Sequence, residues 1–470
     1  MTWDLTGLAP VSASLSAAYL EQHGVMPLAV RDGVLHVASW LDAPSTQALD
    51  DLALLCGARV AVERGAEPAL RRAIHRVYGT EATAQGVIDA LGASVVASVP
   101  VRALDDLVAQ ANEAPVVRLV NLLLLEALQA RASDVHLETY AGELRVRYRV
   151  DGVLQDAPSP PVHLAPAVIS RLKIMADLDI AERRVPQDGR IRLRLQDRHV
   201  DVRVSTVPAL HGESVVLRLL DASHGRIALD ALGMSDETLA RFRAVLRRPQ
   251  GIVLATGPTG SGKTTTLYAA VDVLRTGREK ILAVEDPVEY ELPGVPQVPV
   301  NEKAGVTFAS ALRAMLRQDP DIMLVGEIRD RETAAIATQA ALTGHLVLST
   351  LHTNDAAGAL TRLRELGVEP YLVSSTVEAV LAQRLVRSVC QSCRGAGCDA
   401  CHGTGYLGRV GLHELLVMND ALRAAVQSGA DTSALRRLAQ ADGMRTLQQE
   451  GERLVAAGVT SREEVLRVTA

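Results

Sequence analysis

Lys263 stands in Gly257-Pro258-Thr259-Gly260-Ser261-Gly262-Lys263-Thr264, followed by Thr265, a stretch that satisfies G-x-x-x-x-G-K-[ST] at every position. The glycines let the backbone curl so that successive N–H groups turn inward around an anion. The ammonium of Lys263 can reach the outer phosphates of a nucleoside triphosphate such as ATP, and the Thr264 hydroxyl can ligate Mg²⁺. Three other segments carry groups that could act on a phosphate held there. Glu285 opens Glu285-Asp286-Pro287-Val288-Glu289, acids able to hold Mg²⁺ through water and to orient an attacking water. Ile322-Met323-Leu324-Val325-Gly326-Glu327 runs four apolar residues toward an acid, the Walker B layout, with Gly326 where Asp commonly sits. Glu327 is the expected polariser of the water; it accepts a proton only transiently, so no raised pKa is required of it. His345 and His352 flank a third apolar run, and both a structural role and sensing of the γ-phosphate are open to them. Arg313 and Arg317, at i and i+4, share a helix face that either is solvated or reaches phosphate or an adjacent subunit.

A second chemistry is written in Cys390-x-x-Cys393-(x4)-Cys398-x-x-Cys401. Two C-x-x-C hooks bring four thiolates around one tetrahedral ion, and four protein ligands leave no open position, so a zinc there is structural rather than catalytic. A redox dithiol is the alternative. His402 is a spare ligand, and Cys56, alone after Leu54-Leu55, reads as a core thiol.

These groups need elements to hold them. The run Gly251–Thr256 reads as a buried strand and the residues after Lys263 as a helix, which is the context the phosphate loop requires. Strands are expected over 280–285, 321–325 and 345–351 and a helix over 333–342; that alternation predicts a parallel sheet with helices on both faces, and ligands at its strand ends. Upstream, Arg145, Arg147 and Arg149 alternate with apolar residues, predicting a sheet with one buried and one basic face. On charge pattern alone that face is solvated. The resulting organisation is a small N-terminal domain over 1–80, a connector over 81–111, an α+β domain over 112–222, an α/β core over 229–388, the cysteine loop over 389–410 and a helical end over 411–470.

With 470 residues the chain is long enough for two to four domains. A net charge of -6 and 3% aromatic residues give no case for direct nucleic-acid binding. The apolar stretch Pro115–Ala130 is cut by Arg118, Asn121 and Glu126, and Met1-Thr2-Trp3-Asp4 does not begin a signal peptide, so a cytoplasmic protein is expected, touching membrane only through a partner.

From about residue 112 onward the chain resembles the secretion ATPases of type II secretion and type IV pilus assembly. The resemblance rests on Ala132-Ser133-Asp134-Val135-His136, Arg149-Val150-Asp151-Gly152, Pro186-Gln187-Asp188-Gly189, Ser205-Thr206 and His211-Gly212-Glu213, together with the phosphate loop, the acid box at Glu285, Gly326–Asp330, the His345–His352 box and the cysteine loop. It implies a RecA-like P-loop core that hydrolyses ATP with Mg²⁺, a bound Zn²⁺, and a homo-hexamer with nucleotide between the α+β domain and the core. Arg203 and Arg218, with Arg313 and Arg317, would then approach the phosphates. Pilus retraction ATPases lack the cysteine loop, so the resemblance points to an assembly or export motor. Ser214 departs from the family, where Arg is frequent. The first 80 residues look like the domain by which type II secretion ATPases dock on the cytoplasmic part of an inner-membrane platform protein. No R-L-G motif of the cyclic-di-GMP-binding pilus ATPases is present, which favours pseudopilus assembly in type II secretion. A pilus assembly or DNA-uptake ATPase, and a nucleotide-gated scaffold with little turnover, are the other readings.

Overall fold

The computed structural model describes residues 11, 17–31, 33–41, 44–56, 58–78, 84, 88, 114–195, 198–221 and 227–469. The chain forms two compact units, residues 1–220 and 221–470.

The first unit opens with α1 (Ala17–His23), β1 (Val25–Arg31), β2 (Val34–Ser39), α2 (Thr46–Cys56), β3 (Arg59–Arg64) and α3 (Glu67–Tyr78). β1 and β2 pair antiparallel up to Arg31 opposite Val34, as the hairpin pattern predicts, although Asp32 of the turn lies outside the described residues. β3, which the sequence reading missed, adds in parallel to β2. Its residues Arg59, Glu63 and Arg64 leave little apolar signal; Val60 only packs partly against the core. The expected connector over 81–111 lies outside the described residues except for Ala84 and Ile88, both buried against the next helix.

That helix, α4 (Ala114–Gln129), and α5 (Ala165–Met175) cover one face of a sheet made of β4 (Ala132–Tyr140), β5 (Glu143–Val150), β6 (Val153–Asp156), β7 (Gln187–Leu195), β8 (Arg198–Ala209) and β9 (Gly212–Asp221), in the order β6-β5-β4-β9-β8-β7. Leu144, Val146 and Tyr148 of β5 point into the core, while Arg145, Arg147 and Arg149 stand on the opposite face. The period-2 pattern therefore reads out as predicted.

The second unit holds α6 (Asp236–Leu246), β10 (Gly251–Thr256), α7 (Lys263–Leu274), β11 (Ile281–Glu285), β12 (Gln297–Pro299), α8 (Phe308–Met315), β13 (Ile322–Val325), α9 (Arg331–Leu342), β14 (Leu346–Leu351), α10 (Ala356–Glu365), α11 (Pro370–Thr376), β15 (Val377–Val389) and β16 (Tyr406–Val417). The seven strands run β12-β11-β13-β14-β10-β15-β16, parallel except for β16. All residues of β10, β11, β13 and β14 are buried, as expected for central parallel strands with helices on both faces.

The structure corrects the start of the helical end. Residues 411–417 are not helix; they complete β16, antiparallel to β15, and the cysteine loop is the connection of this hairpin. Gly411–Leu416 is buried throughout, with His413 and Glu414 inside it, so the stretch lacks the alternation that marks a strand. From Asp420 the chain is helical: α12 (Asp420–Gln427), α13 (Thr432–Ala441), α14 (Leu447–Ala456) and α15 (Arg462–Thr469). Ser461 caps α15 as predicted, its Oγ accepting from the Glu464 N–H at 3.2 Å. Among the described residues no helix is long and apolar enough to cross a membrane.

Candidate functional site

The ends of four parallel strands meet at one edge of this sheet. β10 ends at Thr256 beside Leu351 of β14, and β13 ends at Val325 beside Val284 of β11 and Ser349 of β14. The phosphate loop, Glu285, Glu327 and His352 all follow at these ends. Gly257, Gly260 and Gly262 have φ of 148°, 79° and 88°, and a side chain at Gly257 would meet the Gln383 carbonyl oxygen at 2.5 Å. The loop therefore needs glycine for both conformation and space. Lys263 is buried and its Nζ donates to the carbonyls of Gly257 and Pro258 at 2.8 and 3.0 Å. Burial lowers its pKa to about 8, partly countered by the carboxylate of Glu327. The Ser261 hydroxyl is buried without a hydrogen-bond partner among the described residues, a polar atom suited to an incoming anion.

Glu327 is largely buried and held by one guanidinium and one imidazole. Its Oε1 pairs with the Arg329 guanidinium at 2.5 Å and its Oε2 with His352 Nε2 at 3.3 Å. The segment is pinned beneath: the Ile328 N–H donates to the Thr350 carbonyl, and the Ser349 and Thr350 hydroxyls donate to the carbonyls of Val325 and Gly326. Beside Glu327 and His352 lies a cavity of about 460 Å³, lined by Arg329, Thr353, Thr361, Arg362 and Glu365 among others.

Glu285 is buried at the end of β11, accepting from the Tyr268 hydroxyl of α7 and from Gln297 Nε2 at 2.9 Å. Burial, foremost, raises its pKa, and these hydrogen bonds oppose the rise. Its neighbour Asp286 is the exposed acid.

His345 falls elsewhere. It precedes β14, and because β14 and β10 are parallel it sits at the edge opposite the phosphate loop. Its Nδ1 lies 2.9 Å from the Ala340 carbonyl and 3.2 Å from the Thr343 hydroxyl, at the end of α9. The two histidines flank one buried strand, so they lie at its opposite ends and only His352 joins Glu327. Arg313, exposed on α8, pairs with Glu332 of α9, and Arg317 donates to the Arg313 carbonyl at 3.0 Å. Arg203 and Arg218 lie on β8 and β9 of the first unit, on the face away from α4 and α5; Arg218 Nε donates to Asp134 Oδ1 at 3.1 Å.

Sequence reasoning passed over Gln383 and Arg384. Gln383 is buried and its Nε2 donates to the Ser261 carbonyl at 2.7 Å. The adjacent polar pair between the apolar stretches Ala379–Ala382 and Leu385–Val386 was the available signal. Arg329 was also missed as a partner of Glu327, although it lies two positions on.

The cysteine loop closes on itself. Sγ–Sγ separations are 3.8 Å for Cys390–Cys398, 3.8 Å for Cys393–Cys401 and 3.7 Å for Cys398–Cys401, and all four sulfurs lie within 4.8 Å of one another. A disulfide needs ~2.05 Å, whereas four sulfurs at ~2.3 Å from a tetrahedral ion sit ~3.8 Å apart. The donor set is therefore compatible with zinc. Burial works against ionising Cys401, but N–H donation from Cys398 and Gly405, together with the neighbouring Cys398 and Cys393 thiols, brings it down to about 6. Gly405 has φ of 76°, and a side chain there would meet the Gly395 carbonyl oxygen at 2.5 Å.

Residues 109–467 match the family described as Type II/IV secretion system protein, and residues 6–84 match the MshEN domain. The chain belongs to the type II/IV secretion system protein family. Type II secretion system protein E of Xanthomonas campestris pv. campestris is 47% identical over 491 residues, spanning 98% of this chain and 86% of its own. Type II secretion system protein HxcR of Pseudomonas aeruginosa is 56% identical over 372 residues, 77% of this chain and 79% of its own. Type II secretion system ATPase E of Vibrio cholerae is 49% identical over 390 residues, 78% of this chain and 77% of its own. Among solved structures, the pilus retraction motor PilT with bound ADP shares 26% identity at a TM-score of 0.54, covering 74% of this chain and 95% of that one. The Legionella pneumophila ATPase DotB, at 24% identity and a TM-score of 0.60, covers 74% of this chain and 94% of that one and shares its fold.

Proposed function

We propose that this chain is the ATPase motor of a type II secretion machine, a cytoplasmic homo-hexamer that couples ATP hydrolysis to pseudopilus assembly and protein export. The observation that carries the reading is the convergence of Lys263, Glu327 and His352 at one sheet edge, in a chain aligned over 98% of its length with a type II secretion system protein E.

The loop N–H groups and the start of α7 receive the phosphates of ATP. Lys263 exchanges the carbonyls of Gly257 and Pro258 for phosphate oxygens. Glu327, oriented by Arg329 and His352, accepts the proton of the attacking water. Thr264 is the residue that would hold Mg²⁺, which when bound would neutralise charge on the leaving phosphates. Glu285, anchored by Tyr268 and Gln297, would orient water at the end of β11. Arg203 and Arg218 of the α+β domain, and Arg313 and Arg317 of a core, stabilise the charge that develops on the transferred group. The α+β domain closes on each nucleotide and reopens after release, which supplies the motion. Residues 1–80 dock on the cytoplasmic part of an inner-membrane platform protein, so the motor meets the membrane through that partner.

Substituting Glu327→Gln in a secreting cell tests the reading. Export of the secreted proteins stops, while the purified variant still binds nucleotide and still assembles. Undiminished export by that strain would remove the proposal.

A further inference from the structure

The guanidinium of Arg384 lies between the phosphate loop and the end of the chain. NH1 donates to the Gln383 carbonyl at 3.1 Å, and this same carbonyl packs against Gly257. NH2 donates to the Asn354 carbonyl at 3.0 Å, in the loop that follows His352. Nε donates to the Val468 carbonyl at 3.2 Å, in the last turn of α15. That carbonyl is one a helix C-terminus leaves without an internal partner, and a cation there also meets the negative end of the helix dipole. Every acceptor is an uncharged oxygen, and among the described residues no carboxylate lies within ion-pair distance of the group. A positive charge is thus held beside the phosphate loop without a direct ion pair; burial lowers the Arg384 pKa, the carboxylates of Glu414 and Asp355 oppose that fall from farther off, and the Arg384 charge contributes to the fall at Lys263.

The other end of α15 is fastened independently. Glu464 accepts from Arg387 NH2 at 2.7 Å and from the Arg387 N–H at 3.1 Å, and Tyr406, next to the cysteine loop, donates from its hydroxyl to Ser461 Oγ at 2.9 Å. The last helix is therefore held against the β15–β16 hairpin at both ends, by Arg387 and Tyr406 at its start and by Arg384 at its last turn.

We infer that Arg384 is a positioning residue for nucleotide: braced on the last helix, it holds Gly257 and the loop after His352 in their binding shape and adds positive potential for the triphosphate. The inference rests on the ATPase reading above. A short side chain cannot span the acceptors, and a lysine keeps the charge but loses the planar fork that serves several at once.

The test measures binding of fluorescent ADP to the full-length chain. Arg384→Met weakens binding ~10- to 100-fold, in line with loss of hydrogen bonds made by a charged donor, while Arg384→Lys recovers part of the loss. Glu464→Gln, which loosens the far end of α15, weakens binding less, and its effect vanishes in the Arg384→Met background because both act through one brace. Lys263→Ala serves as the control for the underlying reading. If Lys263→Ala loses ADP while Arg384→Met and Arg384→Lys bind like the parent, Arg384 has no positioning role and the ATPase reading stands. If Lys263→Ala also binds like the parent, the reading itself fails. Strictly additive effects of Glu464→Gln and Arg384→Met would separate Arg384 from the last helix. Should Arg384→Met not fold, Arg384→Lys carries the same comparison.

Discussion

The cysteine cluster and the phosphate site are built in opposite ways. Four sulfurs converge from one short hairpin connection, 3.7–3.8 Å apart in the three closest pairs. The proposed phosphate site gathers Lys263, Glu285, Glu327 and His352 from the ends of four strands spread over some ninety residues, and the arginines proposed to finish it lie partly in the other unit. A site made by local spacing is complete when its loop closes. A site made by sheet topology is complete only when the sheet, and by our proposal the neighbouring domain, is in place. The first kind suits a permanent structural role, and the second suits a cycle.

Disruption of each site sharpens this contrast. The largest effect is expected from Lys263→Ala, which removes the phosphate-loop cation and abolishes both nucleotide binding and turnover; calorimetric titration with ADP measures the first directly. Arg203→Ala and Arg218→Ala, acting on the transition state, lower kcat by ~10³-fold or more in the assembled oligomer, with ADP affinity changed far less. We propose that the four thiolates hold zinc: Cys390→Ser then releases it and lowers the melting temperature, leaving ADP affinity within a few-fold of the parent; metal analysis beside thermal denaturation decides this, and an unchanged melting point with full metal content contradicts it.

Two smaller effects come from titration. Lys263 is brought down to about 8 by burial, so its ammonium predominates below that pH, is half lost at it and is lost above it. ADP affinity should therefore hold below pH 8 and fall as pH rises beyond it, by up to ~10-fold per unit if binding requires the ammonium; Lys263→Arg flattens the profile. His413 is fully buried, and burial, then Arg453, pushes its imidazole down to about 4. The unfolded chain takes up that proton near ~6.5. The folded chain does not, so this contribution is intact above 6.5 and is lost as pH falls toward 4. His413→Leu reduces the slope of melting temperature against pH in that window.

How far each feature could be read from the sequence follows the same division. The phosphate loop and the cysteine hooks are fixed spacings, and the strands beside them are unbroken apolar runs, so both were legible. The basic face of β5 was legible because Arg and apolar residues alternate there. What escaped depends on pairing between distant segments. Residues 411–417 carry His413 and Glu414 within a buried strand, and only pairing with β15 makes that pattern intelligible. Glu414 is satisfied by the N–H groups of Ala356 and Leu447, at the starts of two helices far away in sequence. His345 and His352 looked alike in the sequence, but the direction of β14 places one at the phosphate edge and the other at the opposite edge. Gln383 and Arg384 gain meaning only because β15 lies next to β10.

The most direct measurement is steady-state phosphate release from Mg²⁺-ATP by the assembled full-length chain, run beside its Glu327→Gln variant with ADP binding measured on the same samples. The account predicts sustained release by the parent, and a loss of ~10²-fold or more in the variant with binding retained. Equal release by both, or no release from a parent oligomer that binds nucleotide, would contradict it.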